Sequence, residues 1–215
     1  MAFDFKKEYR TLYQPKAKPS LVEVPRMRFL AVEGAGDPNE EGGAYQSALG
    51  LLYGVAYTLK MSYKTTHEIP GFFQYVVPPL EGFWWQPGAD GADMEGVDLA
   101  DKSNFHWLSV IRVPEFVNDA EFAWALEAAT AKKKLDFSPV KLLEIEEGLC
   151  VQAMHVGPYD NEPATVAAMH AFAETQGCAP DLSATRRHHE IYLSDPRKAD
   201  PAKMKTVVRH PVRKR

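Results

Sequence analysis

Residues 79–85 read PLEGFWW, and residues 188–196 read HHEIYLSDP. Aromatic and β-branched side chains bounded by prolines are typical of strands, and the spacing predicts strands over 80–85 and 187–193. Side chains alternate between the two faces of a strand, so every second residue shares a surface. Each strand therefore places a glutamate on the same face as an aromatic ring two positions away.

On the first strand Glu81 shares a face with Phe83 and Trp85, and on the second Glu190 shares a face with Tyr192. An acid flanked by rings suits a lipophilic or cationic aromatic ligand, because stacking, cation–π attraction and charge act together. Partial burial would also raise the pKa of the carboxyl group, which suits a general base acting on water. Solvated glutamates beside edge-packed rings are the alternative, and the sequence leaves both open.

Four further aromatic residues are candidates for lining the same groove. Tyr53 and Tyr57 lie four residues apart and off the apolar stripe of a predicted helix, facing either the groove or solvent. Tyr159 follows Gly157 and Pro158 in a turn, where it would reach the groove edge or close the turn. Trp107 lies on a predicted strand, where core packing competes with ligand contact.

The order of the predicted elements repeats along the chain. Strand, turn, helix, strand and strand run from about residue 27 to 85, with a strand at 72–77, and again from about 149 to 210. A loop, a strand over 105–113 and a helix that begins after Asn118 join the two modules. Two such modules predict an α+β fold, in which an antiparallel sheet carries its helices on one side and a ligand groove at its centre.

Both ends of the chain are expected to be irregular. Residues 1–26 mix charge with three prolines, which predicts an irregular segment ahead of a single domain over 27–215. A short basic stretch from Arg209 to Arg215 follows the last predicted strand, and termini of this kind are often solvated and frayed.

Composition excludes several classes of protein. The chain has 215 residues, of which 45% are hydrophobic, as in an ordinary globular fold. A net charge of −4 and a pI of 6.0 argue against direct nucleic-acid binding. No apolar run matches a signal peptide or a membrane helix, which predicts a cytoplasmic protein without a membrane partner. The oligomeric state stays open.

No cofactor and no metal are predicted. Cys150 and Cys178 lack the spacing of a metal or redox motif. The adjacent His188 and His189 point to opposite faces of a strand and cannot readily bind one ion. Segment 86–104, rich in glycine and acid, lacks the ligand order of a calcium loop and predicts a solvated loop. Neither a phosphate-binding glycine–lysine loop nor a GxSxG serine elbow is present.

Four stretches of the chain resemble stand-alone GyrI-like proteins: LYGVAYTLK (52–60), PPLEGFWW (78–85), CVQAMHVGPYDNEPAT (150–165) and RRHHEIYLSDPRK (186–198). The resemblance covers nearly the whole chain and implies two strand-helix-strand-strand modules around a ligand groove. Related domains sense effectors in multidrug-responsive transcription regulators, where a buried glutamate receives cationic lipophilic drugs. Some stand-alone members resemble hydrolases that open the cyclopropane ring of genotoxic natural products.

The resemblance implies Glu190 and Glu81 as pocket acids, with Trp85, Tyr192 and Tyr53 among the aromatic contacts. The N-terminal segment is too short for a helix-turn-helix, so a transcription factor is not expected. Three functions follow. One is a hydrolase in which Glu190 activates water, and another is a non-catalytic sensor or sequestering protein for lipophilic molecules. The third is an interaction module of the gyrase-inhibitor type.

Overall fold

The structure is a computed structural model that describes residues 2–87 and 101–215, so most of the predicted loop at 86–104 lies outside the described residues. The helices in the described ranges are α1 Phe5–Glu8, α2 Arg10–Tyr13, α3 Ala44–Lys60, α4 Asp119–Lys133 and α5 Glu162–Thr175. The strands there are β1 Ser20–Val24, β2 Met27–Ala35, β3 Leu80–Trp85, β4 His106–Arg112, β5 Lys141–Ile145, β6 Gly148–Val156, β7 Cys178–Pro180, β8 His188–Tyr192 and β9 Lys205–Lys214. None of the described helices is both long and apolar enough to cross a membrane.

The described strands form one antiparallel sheet in the order β1-β6-β9-β8-β3-β4-β2-β5, and β7 pairs with β9. The predicted α+β fold with an antiparallel sheet is confirmed. The strands are arranged almost symmetrically about the junction of β8 and β3. Three strands of the second half, β6-β9-β8, meet three strands of the first half, β3-β4-β2, at the centre of the sheet.

The strand predicted at 72–77 is wrong. That segment joins the described structure through a single bridge between Phe3 and Tyr75. Tyr75 is 2% exposed and packs with the N-terminal residues, so its burial comes from ring contacts and not from a ladder of backbone hydrogen bonds. The third strand of the first half is β4, which makes the element order of that half β2-α3-β3-β4.

Helices α3 and α5 lie on the same face of the sheet but over different strands. Apolar residues at helical spacing, including Leu52, Val55 and Leu59, pack α3 mainly on β2 and β4. Met169 and Ala173 pack α5 mainly on β6, β7 and β9. Neither helix packs extensively on the central strands β3 and β8. We call the sheet surface between the two helices the groove, since ligands commonly bind at such junctions.

The opposite face of the sheet is covered by the N-terminal segment. Residues 1–26 were expected to be irregular, but they contain α1, α2 and β1, and β1 pairs with β6. Phe5, Leu12 and Tyr13 are at most 5% exposed and pack against the sheet. Burial of these apolar side chains stabilises a segment whose charge and proline content suggested irregular structure.

The C-terminal stretch was predicted to be frayed, but it is an ordered strand. Strand β9 continues through Lys214 and lies between β6 and β8, inside the sheet. Arg209 and His210 are 1% and 0% exposed, and Arg213 is the first strongly exposed basic residue of the stretch. The basic residues of this stretch suggested a solvated end, but Arg209 binds buried Glu147 and His210 contacts buried His188.

Candidate functional site

The register of β3 against β8 decides which predicted residues meet. Gly82 lies opposite Glu190, Phe83 opposite His189 and Trp84 opposite His188. Partners across antiparallel strands share a face, so Glu190 lies on the helix-bearing face, here called the groove face. Glu81 lies one residue from Gly82 and points to the other, N-terminally covered face, here called the closed face.

A histidine on the groove face is shared by two glutamates. His188 Nε2 lies 3.0 Å from Glu190 Oε1 and 3.1 Å from Glu162 Oε1. Glu162 is the first residue of α5, which delivers it to the end of β8. It is 6% exposed, and its Oε2 has no hydrogen-bond partner among the described residues. We call Glu162, His188 and Glu190 the groove cluster.

The electrostatics of the groove cluster favour a shared proton. Burial opposes the charged form of His188, but hydrogen bonds to Glu162 and Glu190 outweigh burial and raise the pKa of His188 to about 10. Burial, and then the charge of Glu190, raise the pKa of Glu162 above its ordinary value. The cluster therefore holds an imidazolium at neutral pH and has in Glu162 a carboxylate that takes up a proton readily.

The three groups of the groove cluster are close enough to share an ion, since their donor atoms all lie within 4.8 Å of one another. A metal would need an unprotonated imidazole nitrogen. The Nε2 atom of His188 lies 3.1 Å from one carboxylate and 3.0 Å from the other, so a metal ion bound there would take the place of the Nε2 proton.

Aromatic rings surround the groove cluster. The indole Nε1 of Trp84 donates a 2.8 Å hydrogen bond to the hydroxyl of Tyr192, and Tyr45 from α3 contacts Trp84 at a ring separation of 5.4 Å. Tyr159 meets Tyr192 edge-on at 6.0 Å. Gly82 allows these two side chains to approach the strand, because a Cβ there would lie 2.7 Å from Trp84 Nε1 and 3.1 Å from the Tyr192 hydroxyl.

The tyrosine hydroxyls of the groove stay protonated at neutral pH. Burial and the charges of Glu190 and Glu162 raise the pKa of Tyr159 to about 12. Burial and the charge of Glu190 also raise the pKa values of Tyr45 and Tyr192. Three phenolic groups are thus kept as hydrogen-bond donors around one glutamate.

Glu81, predicted as the second pocket acid, does not face the groove. It is 1% exposed and accepts a 3.2 Å hydrogen bond from the Tyr13 hydroxyl. His189 Nε2 lies 3.0 Å from Glu81 Oε2 without hydrogen-bond alignment, and His189 Nδ1 lies 3.0 Å from Glu147 Oε2. Arg209 completes the group with a 2.9 Å bond to Glu147 Oε1. We call these five residues the closed-face network.

The remaining predictions divide between the two faces. Phe83 stacks on His189 at 4.1 Å, and Trp85 lies under the guanidinium of Arg187, so both belong to the side away from the groove cluster. Trp107 is on the groove face but is 1% exposed and contacts Tyr45 from below. The structure therefore brings together Glu190, Tyr192 and Tyr159 and separates them from Glu81, Phe83 and Trp85.

Tyr53 and Tyr57 extend the groove wall along α3. Their rings are 6.2 Å apart, and Tyr57 is 50% exposed. Burial, then Tyr57, raise the pKa of Tyr53, and Arg197 and Asp195 of the segment after β8 also act on it. Tyr53 therefore lies close to the segment that follows β8.

Sequence reasoning missed Glu162, Trp84 and Tyr45. Trp84 alternates with the predicted pair Phe83 and Trp85, so only the strand register could assign it to Glu190. Tyr45 lies two turns before Tyr53 on the same helix face, and that spacing was an available signal. Glu162 begins a helix immediately before Pro163, where an acid usually stabilises the helix end and needs no other role.

The sequence and fold of this chain are similar to those of several known proteins. A family model described as GyrI-like small molecule binding domain matches residues 113–213. The solved structure of an uncharacterized conserved protein from Listeria innocua is 51% identical, with a TM-score of 0.90 over 98% of this chain and 100% of that chain. A hydrolase from Listeria innocua is 48% identical, with a TM-score of 0.88 over 98% and 100% of the two chains.

A more distant likeness concerns the fold alone. EcmrR, solved in complex with DNA, is 17% identical, with a TM-score of 0.52 over 98% of this chain and 61% of that chain. No curated protein matches this chain.

Proposed function

We propose a function from the premise that this chain belongs to the GyrI-like small-molecule-binding domain family: its groove binds a flat, lipophilic molecule and hydrolyses it. One observation carries the proposal. Two carboxylates, from Glu162 and Glu190, share His188 on the floor of an aromatic groove. A similar protein that covers the same length is named a hydrolase, which supports the choice of reaction.

The surroundings of Glu190 suit a planar substrate. Trp84, Tyr45, Tyr159 and Tyr192 present rings for stacking, and the glutamates favour a ligand with a partial or full positive charge. The Glu190 side chain is 16% exposed, which lets a water molecule reach its carboxylate. We assign the substrate class as an aromatic compound with a strained, electrophilic ring such as a cyclopropane.

The reaction adds one water molecule. Glu190 takes a proton from water, the water oxygen bonds to a ring carbon, and the carbon–carbon bond of the strained ring breaks. The released electron pair moves to a conjugated carbonyl oxygen of the substrate, which becomes a phenolate. Tyrosine hydroxyls such as Tyr159 stabilise this oxyanion by hydrogen bonding, and it takes a proton from solvent as the product leaves. Glu162, whose pKa is raised, helps the cluster to hold the proton taken from water.

The test compares the two faces of the sheet directly. The protein is incubated with a cyclopropane-containing indole alkylator, and the hydrated product is followed by mass spectrometry. We expect Glu190→Gln to lower turnover by about 100-fold or more, because the amide cannot accept the proton of water. Glu81→Gln is the matched control, since it makes the same change on the closed face. Thermal unfolding checks that both variants are folded.

Other outcomes favour other functions. Full turnover by Glu190→Gln would contradict the assigned base. Quenching of Trp84 fluorescence by the alkylator without any product would favour a non-catalytic sensor or sequestering protein that uses the same groove. Gyrase inhibition that persists in the Glu190→Gln variant would favour an interaction module.

A further inference from the structure

Three histidines lie in a line that leads away from the groove cluster. His188 Nδ1 is 2.6 Å from His210 Nε2, and His210 Nδ1 is 2.7 Å from His170 Nε2. His188 and His210 are 5% and 0% exposed, whereas His170, on α5, is half-buried. The line therefore begins at the two glutamates and ends at the helix that covers this part of the sheet.

The ring nitrogens along this line have a consistent donor order. His188 carries protons on both nitrogens, so its Nε2 faces the carboxylates and its Nδ1 donates to His210 Nε2. Burial, then the neighbouring His188 and His170, lower the pKa of His210 well below its ordinary value, so His210 is neutral. A neutral His210 that accepts at Nε2 donates from Nδ1 to His170 Nε2.

We infer that His188, His210 and His170 form a proton relay between the groove cluster and the outer helix α5, an inference that rests on the proposed hydrolysis. His188 passes its Nδ1 proton to His210 Nε2 while His210 passes its Nδ1 proton to His170 Nε2. One positive charge moves from the cluster to half-buried His170, and no heavy atom has to move. His188 is left neutral with its remaining proton on Nε2.

The relay removes the positive charge that the reaction leaves in the cluster while the substrate fills the groove. When Glu190 takes a proton from water, the buried cluster gains a positive charge while the substrate separates it from solvent. The two hops carry that charge to His170, where solvent stabilises it. After the product has left, Glu190 returns its proton to solvent and the reverse hops restore the charge of His188.

The cluster end of the relay adjoins several titratable groups. His210 lies opposite Val151 in the sheet, and Val151 belongs to the apolar cluster that packs under α5. The titratable groups near the cluster end are Glu162, Glu190 and the phenols that surround Glu190, with His155 acting on Glu162 from β6. His155 is bound to Thr165 Oγ1 at 2.8 Å and to the Pro158 carbonyl at 3.0 Å, away from the histidine line.

Turnover of the alkylator with and without imidazole buffer tests the relay. We expect His170→Ala to lower kcat by about tenfold with little change in KM, because the terminal proton acceptor is lost. Imidazole should restore the rate by accepting the proton from His210. Val166→Ala, a truncation one turn earlier on α5, is the matched control for packing and should retain the wild-type rate with no response to imidazole.

A second measurement does not depend on catalysis. The exchange of the His188 Nδ1 proton with water is followed by ¹⁵N NMR in the free protein, and His170→Ala should slow it by about tenfold. If the wild type shows no turnover, the proposed function fails while this exchange still decides the relay. Unchanged exchange in His170→Ala overturns the relay, whether turnover is retained or is lost without rescue by imidazole.

Discussion

The two faces of the central sheet carry the same local arrangement in different surroundings. On each face one histidine lies between two glutamates, His188 in the groove cluster and His189 in the closed-face network. Within the described residues, the closed face adds an arginine, Arg209, bound to Glu147, and a tyrosine from the covering segment, Tyr13, bound to Glu81. The groove cluster has an unpartnered carboxylate oxygen within the described residues, and its Glu190 side chain is 16% exposed.

This difference in countercharge shifts the pKa values of Glu147 and Glu162 in opposite directions. Burial alone would raise the pKa of Glu147, but His189 and Arg209 outweigh burial and hold that pKa at about 2. Glu162 has no arginine beside it in the described structure, and its pKa is raised. Buried carboxylates whose charge is compensated by an arginine stabilise the fold. A buried carboxylate without that compensation binds a proton readily and can take part in proton transfer.

The largest expected effect comes from removing the countercharge of the closed face. Arg209→Met leaves Glu147 buried without its guanidinium partner and frees the Leu12 carbonyl and Gln152, which Arg209 also binds. We expect the free energy of unfolding in urea to fall by about 3–5 kcal/mol. Arg213→Met, at an exposed position of the same strand, should change it by less than about 0.5 kcal/mol. Equal losses in the two variants would contradict this account.

The second-largest effect is expected in the dependence of stability on pH, which should differ between the two faces. The lowered pKa of Glu147 contributes stability above pH 4.5 that is lost as the pH falls towards about 2, a loss of about 3 kcal/mol. The raised pKa of His188 contributes stability below pH 6.5 that is lost as the pH rises through about 10. His189, whose pKa is also raised, adds to the alkaline loss.

Glu190→Gln makes this comparison selective, because it removes one of the two groups that raise the pKa of His188. We expect the alkaline loss of stability to begin at lower pH and the acid side to stay unchanged in urea unfolding measured across the pH range. A shift on the acid side instead would mean that the two clusters are energetically coupled through the sheet.

The smallest effect is expected from two matched hydroxyl deletions. Tyr13→Phe removes the 3.2 Å hydrogen bond to buried Glu81 and should cost about 1 kcal/mol in thermal unfolding, with ligand binding unchanged. Tyr192→Phe removes the acceptor for Trp84 and a donor beside Glu190, so it should weaken binding of a planar aromatic cation several-fold, as measured by tryptophan quenching. The comparison would be broken if Tyr13→Phe weakened binding as much.

The alternation of side chains along each strand could be predicted from the sequence, but the register in which two strands pair could not. The sequence correctly indicates that Glu81 and Phe83 share a face and that His188 and Glu190 share another, because this follows from strand geometry. Whether those faces coincide depends on the register of β3 against β8, and the register places Gly82 opposite Glu190. A shift of one residue would have put both glutamates in one groove.

The closed face was unpredictable for a different reason. Residues 1–26 look irregular because local propensity is weak there, and α1 and α2 have only four residues each. Their order comes from Phe5 and Tyr13 packing on a sheet formed by distant parts of the chain. Glu162 was missed similarly, since its role depends on the approach of α5 to β8 and not on its neighbours in sequence.

Strand β9 has a consequence for how the molecule is made. It follows every other described element along the chain, yet it lies between β6 and β8, and its consecutive residues Arg209 and His210 point to opposite faces. During synthesis, β9 must therefore emerge before Arg209 can pair with Glu147 and before His210 can contact His188. Insertion of one late strand thus supplies the countercharge of the closed face and the second histidine of the line on the groove face at the same time.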